Sequence, residues 1–249
     1  MRIPRFYFAG DLQTGQTPEL PAELFRHAIQ VLRLKTGEPV ILFNGNGGEF
    51  LAELDEVSKR RATANILSFD PVNRESALSL TLVQSIIKPD KMDLAIQKSV
   101  ELGVTAIRPM ISQRSVVRMG RDKLDKKISH WQAVALSACE QSGRTGLPEL
   151  LPPLGFNEWL EQPLAEDGLR IMLMPGDYPR IHTLRDTLTA DQRPHIQLMI
   201  GPEGGFTDDE VALCIKNGVF MVSLGPRILR AETAAISVIA LLQQYFGDL

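Results

Sequence analysis

Ile200-Gly201-Pro202-Glu203-Gly204-Gly205-Phe206-Thr207 is the stretch of this 249-residue chain whose residue types and spacing point most directly to chemistry. The apolar run Ile196 to Ile200 reads as a buried strand feeding the turn. Thr207 and Glu210 stand at the T-x-x-E spacing of a helix capping box. Three glycines remove every Cβ from the turn, and Pro202 stiffens it and removes one donor. Such a loop can hold a small molecule through its backbone. It has neither the G-x-G-x-x-G spacing of a dinucleotide fingerprint nor the Gly-Lys-Ser/Thr of a P-loop. A tight turn that needs positive φ is the plain alternative, and the loop alone leaves both open. Further on, the strand-like run Phe220 to Leu224 ends in Gly225-Pro226-Arg227-Ile228-Leu229-Arg230-Ala231-Glu232-Thr233-Ala234. There Arg230, Glu232 and Thr233 gather at the start of a helix. Two strand–turn–helix loops of this kind lie on one end of a parallel sheet, the edge at which open α/β sheets bind ligands.

The elements that must position these loops are legible as an alternation. Residues 1 to about 72 read as β-rich, with apolar runs at 5–8, 39–43, 49–54 and 62–69 and one short helix at Glu23–Val31. Asn44-Gly45-Asn46-Gly47-Gly48 is a strong turn signal between two of the runs. This pattern predicts a small barrel, followed by a linker at Asp70–Glu75. Beyond it come a strand at 80–86, a helix at 91–102 with Met92, Ala95, Ile96 and Val100 on one face, and a strand at 106–111. A long helix at 123–141 and strands at 170–174, 196–200 and 220–224 follow. The last helix, 232–246, is apolar nearly all round, so it must be covered on more than one side, by its own domain or by a second subunit. The alternation alone predicts a parallel α/β sheet, doubly wound and without a knot.

Composition sets broad limits. With 44% hydrophobic and 23% charged residues the chain is ordinary for a soluble globular protein. It shows no apolar run of membrane-spanning length, and its N-terminus, Met-Arg-Ile-Pro-Arg, shows no secretory apolar region. Cys139 and Cys214 sit in helix-like segments and read as reduced, buried thiols of a cytoplasmic protein; the four histidines lack metal-ligand spacing, so no metal is expected. The net charge of −3 argues against a uniformly basic RNA binder. Between Arg108 and Lys127, however, seven basic residues face two acidic ones. Such a run is usually a solvated helical face. Its arginines precede the helix, which favours phosphate contact.

The pair G-P-E-G-G-F and L-G-x-R-I-L-R-x-E-T-A resembles the SPOUT methyltransferases, and more narrowly the family that methylates N3 of a uracil in small-subunit (16S) ribosomal RNA. Further matches run along most of the chain: Arg2-Ile3-Pro4-Arg5-Phe6-Tyr7, His27-Ala28-Ile29-Gln30-Val31-Leu32-Arg33, Lys98-Ser99-Val100-Glu101-Leu102-Gly103-Val104, Gln113-Arg114-Ser115 and Glu140-Gln141-Ser142-Gly143-Arg144. The resemblance implies a PUA-like RNA-binding domain at 1–72 and a SPOUT α/β domain at 76–249. It also implies a C-terminal trefoil knot, which periodicity does not show. S-adenosylmethionine as methyl donor and 16S ribosomal RNA or the small subunit as partner come with it, and the apolar circumference of the last helix predicts a homodimer.

That donor carries a sulfonium and no phosphate, so it needs apolar walls for adenine and backbone groups for its polar edges. The resemblance places Leu173, Met174 and Pro175 in a first loop around it and Ile200, Gly201, Pro202, Glu203, Gly204 and Gly205 in a second. Leu224, Gly225, Ile228 and Leu229, with Thr233 and Ala234, make up a third. Uracil N3 lies on the Watson–Crick edge, so the base must be unpaired or flipped out, and its proton must leave. Arg230 would stabilise the developing uracil anion, and Glu232 would orient that arginine or take the proton. Capping of the last helix by Glu232 and Thr233, and an ion pair for Arg230, are the structural alternatives; for Leu173, Met174 and Leu224 the alternative is core packing. Arg2, Arg5 and Arg33 with Arg114 and Arg118 are expected to line one basic RNA surface. Two rival functions remain open at this stage: transfer to a ribose 2′-hydroxyl, and a non-enzymatic RNA-binding protein.

Overall fold

A computed structural model describes residues 3–115, 121–187 and 195–249. The chain divides into two compact units, Met1–Glu75 with Cys139–Leu147, and Ser76–Ala138 with Pro148–Leu249.

In the first unit β1 (Arg5–Tyr7) is followed by α1 (Ala22–Phe25), whose chain continues into a π-helical segment, Arg26–Val31. Then come β2 (Pro39–Phe43), β3 (Glu49–Val57) and β4 (Ala62–Asp70). They form a four-stranded sheet in the order β1-β2-β3-β4, with β1 parallel to β2 and the other pairs antiparallel. Period-two burial along β3 and β4 turns Phe50, Ala52, Leu54, Ala64 and Ile66 inward onto Phe6, Leu24, Phe25 and Leu42. The helix expected at 23–31 is therefore present, but its second half is π-helical, and Arg33 behind it takes φ 58°. Among the described residues Arg33 is the one non-glycine residue with positive φ.

A network of charges staples the late segment Cys139–Leu147 to this unit. Glu49 accepts from Arg5 Nε and Arg74 Nη1, each at 3.0 Å, and Glu75 accepts from Arg144 Nε and from the backbone N–H groups of Thr145 and Gly146, each at 2.9 Å. Arg5 also donates to the carbonyls of Cys139 and Arg144 and stacks over Phe43, 3.9 Å from its ring centroid. Burial alone would push the Glu75 carboxyl up. Arg144 and the two backbone donors overcome that and hold its pKa below the usual range, and Arg74 and Arg5 do the same for Glu49.

The second unit contains β5 (Leu80–Ser85), α2 (Pro89–Glu101), β6 (Ala106–Ile111), most of α3 (Arg121–Ser142), β7 (Glu149–Leu150), β8 (Leu154–Gly155) and α4 (Phe156–Glu161). β9 (Leu169–Leu173), α5 (Leu184–Thr187), β10 (Ile196–Ile200), α6 (Asp208–Lys216), β11 (Phe220–Val222) and α7 (Ala231–Phe246) complete it. The sheet has seven strands, ordered β11-β9-β10-β5-β6-β7 with β8 also on β6, and every pairing is parallel. All strand carboxyl ends therefore share one edge. A parallel sheet is covered on both faces, which explains why all six residues of β5 are buried. Val83, Met110, Met172 and Met199 pack on Trp159, Phe206 and Cys214 on one side. α2 and α7 lie side by side, and Ala234, Ala235, Val238, Ile239 and Leu242 of α7 are buried within the unit, whereas Ile236, Ala240, Leu241 and Phe246 are half-buried. Among the described residues no helix is long and apolar enough to cross a membrane.

The first unit's carboxylates give a pH prediction. Their folded pKa values are depressed, so their stabilisation is complete above the unfolded carboxylate value of about 4.3 and is lost as the pH falls through the lower folded value. Acid unfolding monitored below pH ~4 should therefore be shallower in Glu75→Gln than in the wild type. At neutral pH the same substitution should cost ~1.5–3 kcal/mol by urea denaturation, the loss of hydrogen bonds to a charged group.

Candidate functional site

The carboxyl ends of β5, β6, β9, β10 and β11 surround a cavity of about 860 Å³. Each strand contributes the residues that follow it: Lys88, Asp90 and Lys91 after β5, Arg114 after β6, and Leu173 to Pro175 at the end of β9. Ile200 to Phe206 come from the end of β10, and Leu224, Gly225, Arg227 to Glu232 and Ala234 from the loop after β11 and the first turn of α7. Because the sheet order places β10 against β5, with β6 on one side and β9 and β11 on the other, the cavity stands where the connections diverge, as in other open α/β sheets.

The β10 loop is built by close packing as much as by openness. A Cβ on Gly201 would stand 2.9 Å from the Phe206 ring, and Phe206 is locked in the core beside Phe156. Gly205 takes φ +68°, the left-handed region, to close a turn in which its N–H donates to the Pro202 carbonyl at 2.9 Å. Gly204 needs neither: its missing Cβ would meet the stem of Arg114 at an ordinary 3.4 Å. Gly201 makes room for Phe206, and Gly205 supplies a backbone conformation.

Side-chain clasps hold this loop from several sides. Thr207 and Glu210 form the expected capping box at the start of α6, with Glu210 N–H donating to Thr207 Oγ1 at 3.2 Å and Thr207 N–H to Glu210 Oε2 at 2.9 Å. The other oxygen of the buried Glu210 accepts from Gln113 N–H at 3.0 Å. Next to it, Arg114 Nη1 donates to the carbonyls of Gly204 and Phe206 at 3.1 and 3.2 Å. Glu203 Oε1 accepts from the backbone N–H of Lys88, the residue that precedes Pro89 at the start of α2, at 3.2 Å.

At the other wall, Arg230 caps α7 with extended backbone (φ −65°, ψ 152°); its side chain is exposed and makes no hydrogen bond or ion pair among the described residues. Glu232, in the first turn of the same helix, is 5% exposed. Its Oε1 lies 3.5 Å from Lys91 Nζ, and that ammonium also approaches Asp90 at 3.7 Å. Both carboxylates sit at helix N-termini, where the peptide dipoles favour them. Elsewhere, burial pushes the Cys139 and Cys214 thiols up to about 11 and about 12, which leaves both as un-ionised, inert core groups at neutral pH.

The sequence-predicted residues sort as follows. Every expected cofactor residue lines the cavity except Thr233, whose side chain is exposed and lies off its wall. Ile228 lines it from the rim, 85% exposed. Arg230 and Glu232 come together there as expected. Arg5 does not belong to an RNA surface: its side chain is 8% exposed and spent on Glu49, two carbonyls and Phe43. Arg114 is exposed at the rim but anchors the glycine loop, and Arg33 is exposed on the first unit. Arg2 and Arg118 lie outside the described residues. Sequence reading missed Lys88, Asp90, Lys91 and Arg227. The Lys88-Pro89-Asp90-Lys91 run repeats the strand–proline–helix pattern of the other loops, a signal that identifies it.

Residues 74–243 match the model of an RNA methyltransferase domain, and residues 20–67 that of an RNA methyltransferase PUA domain. The ribosomal RNA small subunit methyltransferase E of Buchnera aphidicola subsp. Acyrthosiphon pisum is 35% identical over 249 residues, spanning 99% of this chain and 95% of that protein. Two solved structures are each 40% identical and cover 100% of both chains. One is a putative methyltransferase from Legionella pneumophila in complex with S-adenosylmethionine, with a TM-score of 0.93. The other is a ribosomal RNA small subunit methyltransferase E from Neisseria gonorrhoeae bound to S-adenosylmethionine, with a TM-score of 0.91.

The glycine geometry makes a prediction independent of function. By urea denaturation Gly201→Ala should lose ~1–3 kcal/mol, because Phe206 cannot yield without disturbing the core. Gly205→Ala should lose ~1–2 kcal/mol for the left-handed backbone, whereas Gly204→Ala should stay within ~0.5 kcal/mol of wild type. Equal effects at all three would contradict the packing described.

Proposed function

The chain belongs to the ribosomal RNA small subunit methyltransferase E family, and on that premise we propose that it methylates N3 of one uracil in 16S ribosomal RNA with S-adenosylmethionine as donor. The observation that carries the reading is the meeting, in one cavity, of a backbone-lined glycine turn, an exposed guanidinium and a buried carboxylate.

The cavity fits the donor. Leu173, Met174, Ile200, Leu224 and Leu229 offer apolar walls for an adenine, and Gly201 to Gly205 offer backbone groups for polar edges. Its volume is of the size used for cofactors, within roughly 300–1,000 Å³. Bound there, the donor supplies an electrophilic methyl on a sulfonium. The chain's own residues then have to exclude water, orient the base and manage one proton. Glu232 accepts the N3 proton as the nitrogen gains its methyl group, and Arg230 meets the negative charge that spreads over the uracil oxygens. Neither cysteine takes part. Arg33, with Arg2 and Arg118, is assigned to phosphate contact, and the first unit to RNA binding, in keeping with the PUA domain match. The half-buried Ile236, Ala240 and Leu241 of α7 support a homodimer.

Nucleoside mass spectrometry of small-subunit RNA treated with the protein and labelled donor should find the label on uracil N3. Label on a ribose, on uracil C5 or on no nucleoside would overturn the proposal. Arg230→Ala should lower kcat about 10²–10³-fold, the usual cost of one preorganised charge-stabilising donor, with little change in donor affinity by calorimetry. Light scattering at micromolar concentration should return twice the mass of one chain; the mass of a single chain would remove the dimer.

A further inference from the structure

We propose that Lys91 is a positioning residue of this site, holding the Glu232 carboxylate in place at the cavity wall. The inference rests on the function proposed above. Glu232 is 5% exposed, and among the described residues its one ion-pair partner is Lys91, 3.5 Å away. A buried carboxylate without a partner is costly, so the Lys91 ammonium is the counter-charge that offsets the burial of this one.

Lys91 is placed for this work from two directions. Its helix begins at Pro89, and the residue before it is tied through its N–H to Glu203 of the glycine loop. The start of α2 is therefore fixed to the same loop that lines the cavity. The far ends of the two helices are fixed as well, since Gln243 of α7 donates to the Leu102 carbonyl at 2.8 Å and accepts from Ser76 Oγ at 2.7 Å. Lys91 and Glu232 thus face each other from two pinned helices.

The pair is also suited to a change of charge. At 3.5 Å the ammonium is at the long end of hydrogen-bonding distance, and it has Asp90 at 3.7 Å as a second carboxylate. When Glu232 takes the N3 proton it becomes neutral, N3 forms its bond to the methyl carbon, and the carbon–sulfur bond of the donor breaks with its electron pair left on sulfur. Lys91 keeps Asp90 as counter-charge throughout. It neither touches the base nor exchanges a proton; it acts through Glu232.

Two double-mutant cycles test this, on Lys91→Met and Glu232→Gln. In the first, without donor or RNA, Lys91→Met should lower the urea midpoint in the wild-type background and much less in Glu232→Gln, where no buried charge is left to stabilise. In the second, at saturating donor, Lys91→Met should lower kcat roughly 10- to 100-fold, the scale of a misplaced reacting group. It should leave donor affinity by calorimetry nearly unchanged, and its effect on kcat should shrink severalfold in the Glu232→Gln background. Lys91→Arg, which retains the cation, should recover most of the turnover. Additive losses in either cycle, or a kcat for Lys91→Met equal to wild type, overturn the inference while leaving the reaction in place. A wild-type chain that makes no N3-methyluracil overturns the proposed function and the catalytic half of this inference, and the stability cycle then reads the pair by itself.

Discussion

The cavity depends on two helices held parallel and in register. Lys91 meets Glu232 near one end of α2 and α7, and the Leu102 carbonyl meets Gln243 near the other. Both contacts span the same sequence offset of 141 residues, so the helices run in the same direction without slippage over about three turns. Their buried seam, Met92, Ile96 and Val100 against a helix whose Ala235, Val238, Ile239 and Leu242 are fully covered, supplies the attraction. The polar contacts at the ends supply the register. Apolar packing alone tolerates a shift of one turn, which would carry Glu232 about 5 Å along the helix axis and out of the site.

Register in the helices matters because the sheet delivers everything else to the same edge. Each parallel strand releases its loop at the carboxyl end, so residues as distant in sequence as Lys88, Arg114, Met174, Glu203 and Arg230 arrive at one cavity without any long excursion of the chain. The loops are then fastened to one another and not merely adjacent: Glu210 to Gln113, Arg114 to Gly204 and Phe206, Glu203 to Lys88. All four of these hydrogen bonds use backbone carbonyls or N–H groups that a turn would otherwise leave to water. A site whose walls are cross-tied in this way is preorganised before any ligand enters, the condition under which positioning contributes most to a transfer reaction.

The sheet and its long helices were legible because their signals are local. The β5 and β10 runs with their Leu, Val, Ile and Met, the amphipathic α2 and the T-x-x-E box of α6 each carry their pattern within a few residues, and the observed bounds of β5, β10 and α2 fall within two residues of those expected, as for α2 at Pro89–Glu101. The two-residue strands β7 and β8 are too short to show a period, and the π-helical turn at Arg26–Val31 looks like any helix in sequence. Side-chain roles were hardest where the partner is remote. Nothing near Arg5 announces that Glu49 and the carbonyls of Cys139 and Arg144 will enclose it, so its charge read as surface. Lys91, between Asp90 and the buried Met92, reads as an ordinary solvated flank, and only Glu232, contributed by a helix at the other end of the domain, gives it a role.

Charge explains why such a site contains both a paired and an unpaired cation. In the proposed transfer the cavity loses one positive charge, on the donor sulfonium, and one negative charge, on Glu232, so its total is conserved across the step. A water-poor cavity can accommodate that exchange with little reorganisation, since no net charge is created in low dielectric. The two cations then have different tasks. Lys91 is fixed to carboxylates and balances a charge that exists before the reaction. Arg230, exposed at the rim and without a partner among the described residues, is available for charge that exists only while N3 is giving up its proton. Exchanging these settings would fail on both counts: a free cation beside Glu232 would leave a buried carboxylate poorly balanced, and a paired cation beside the base would already be neutralised when the uracil charge develops.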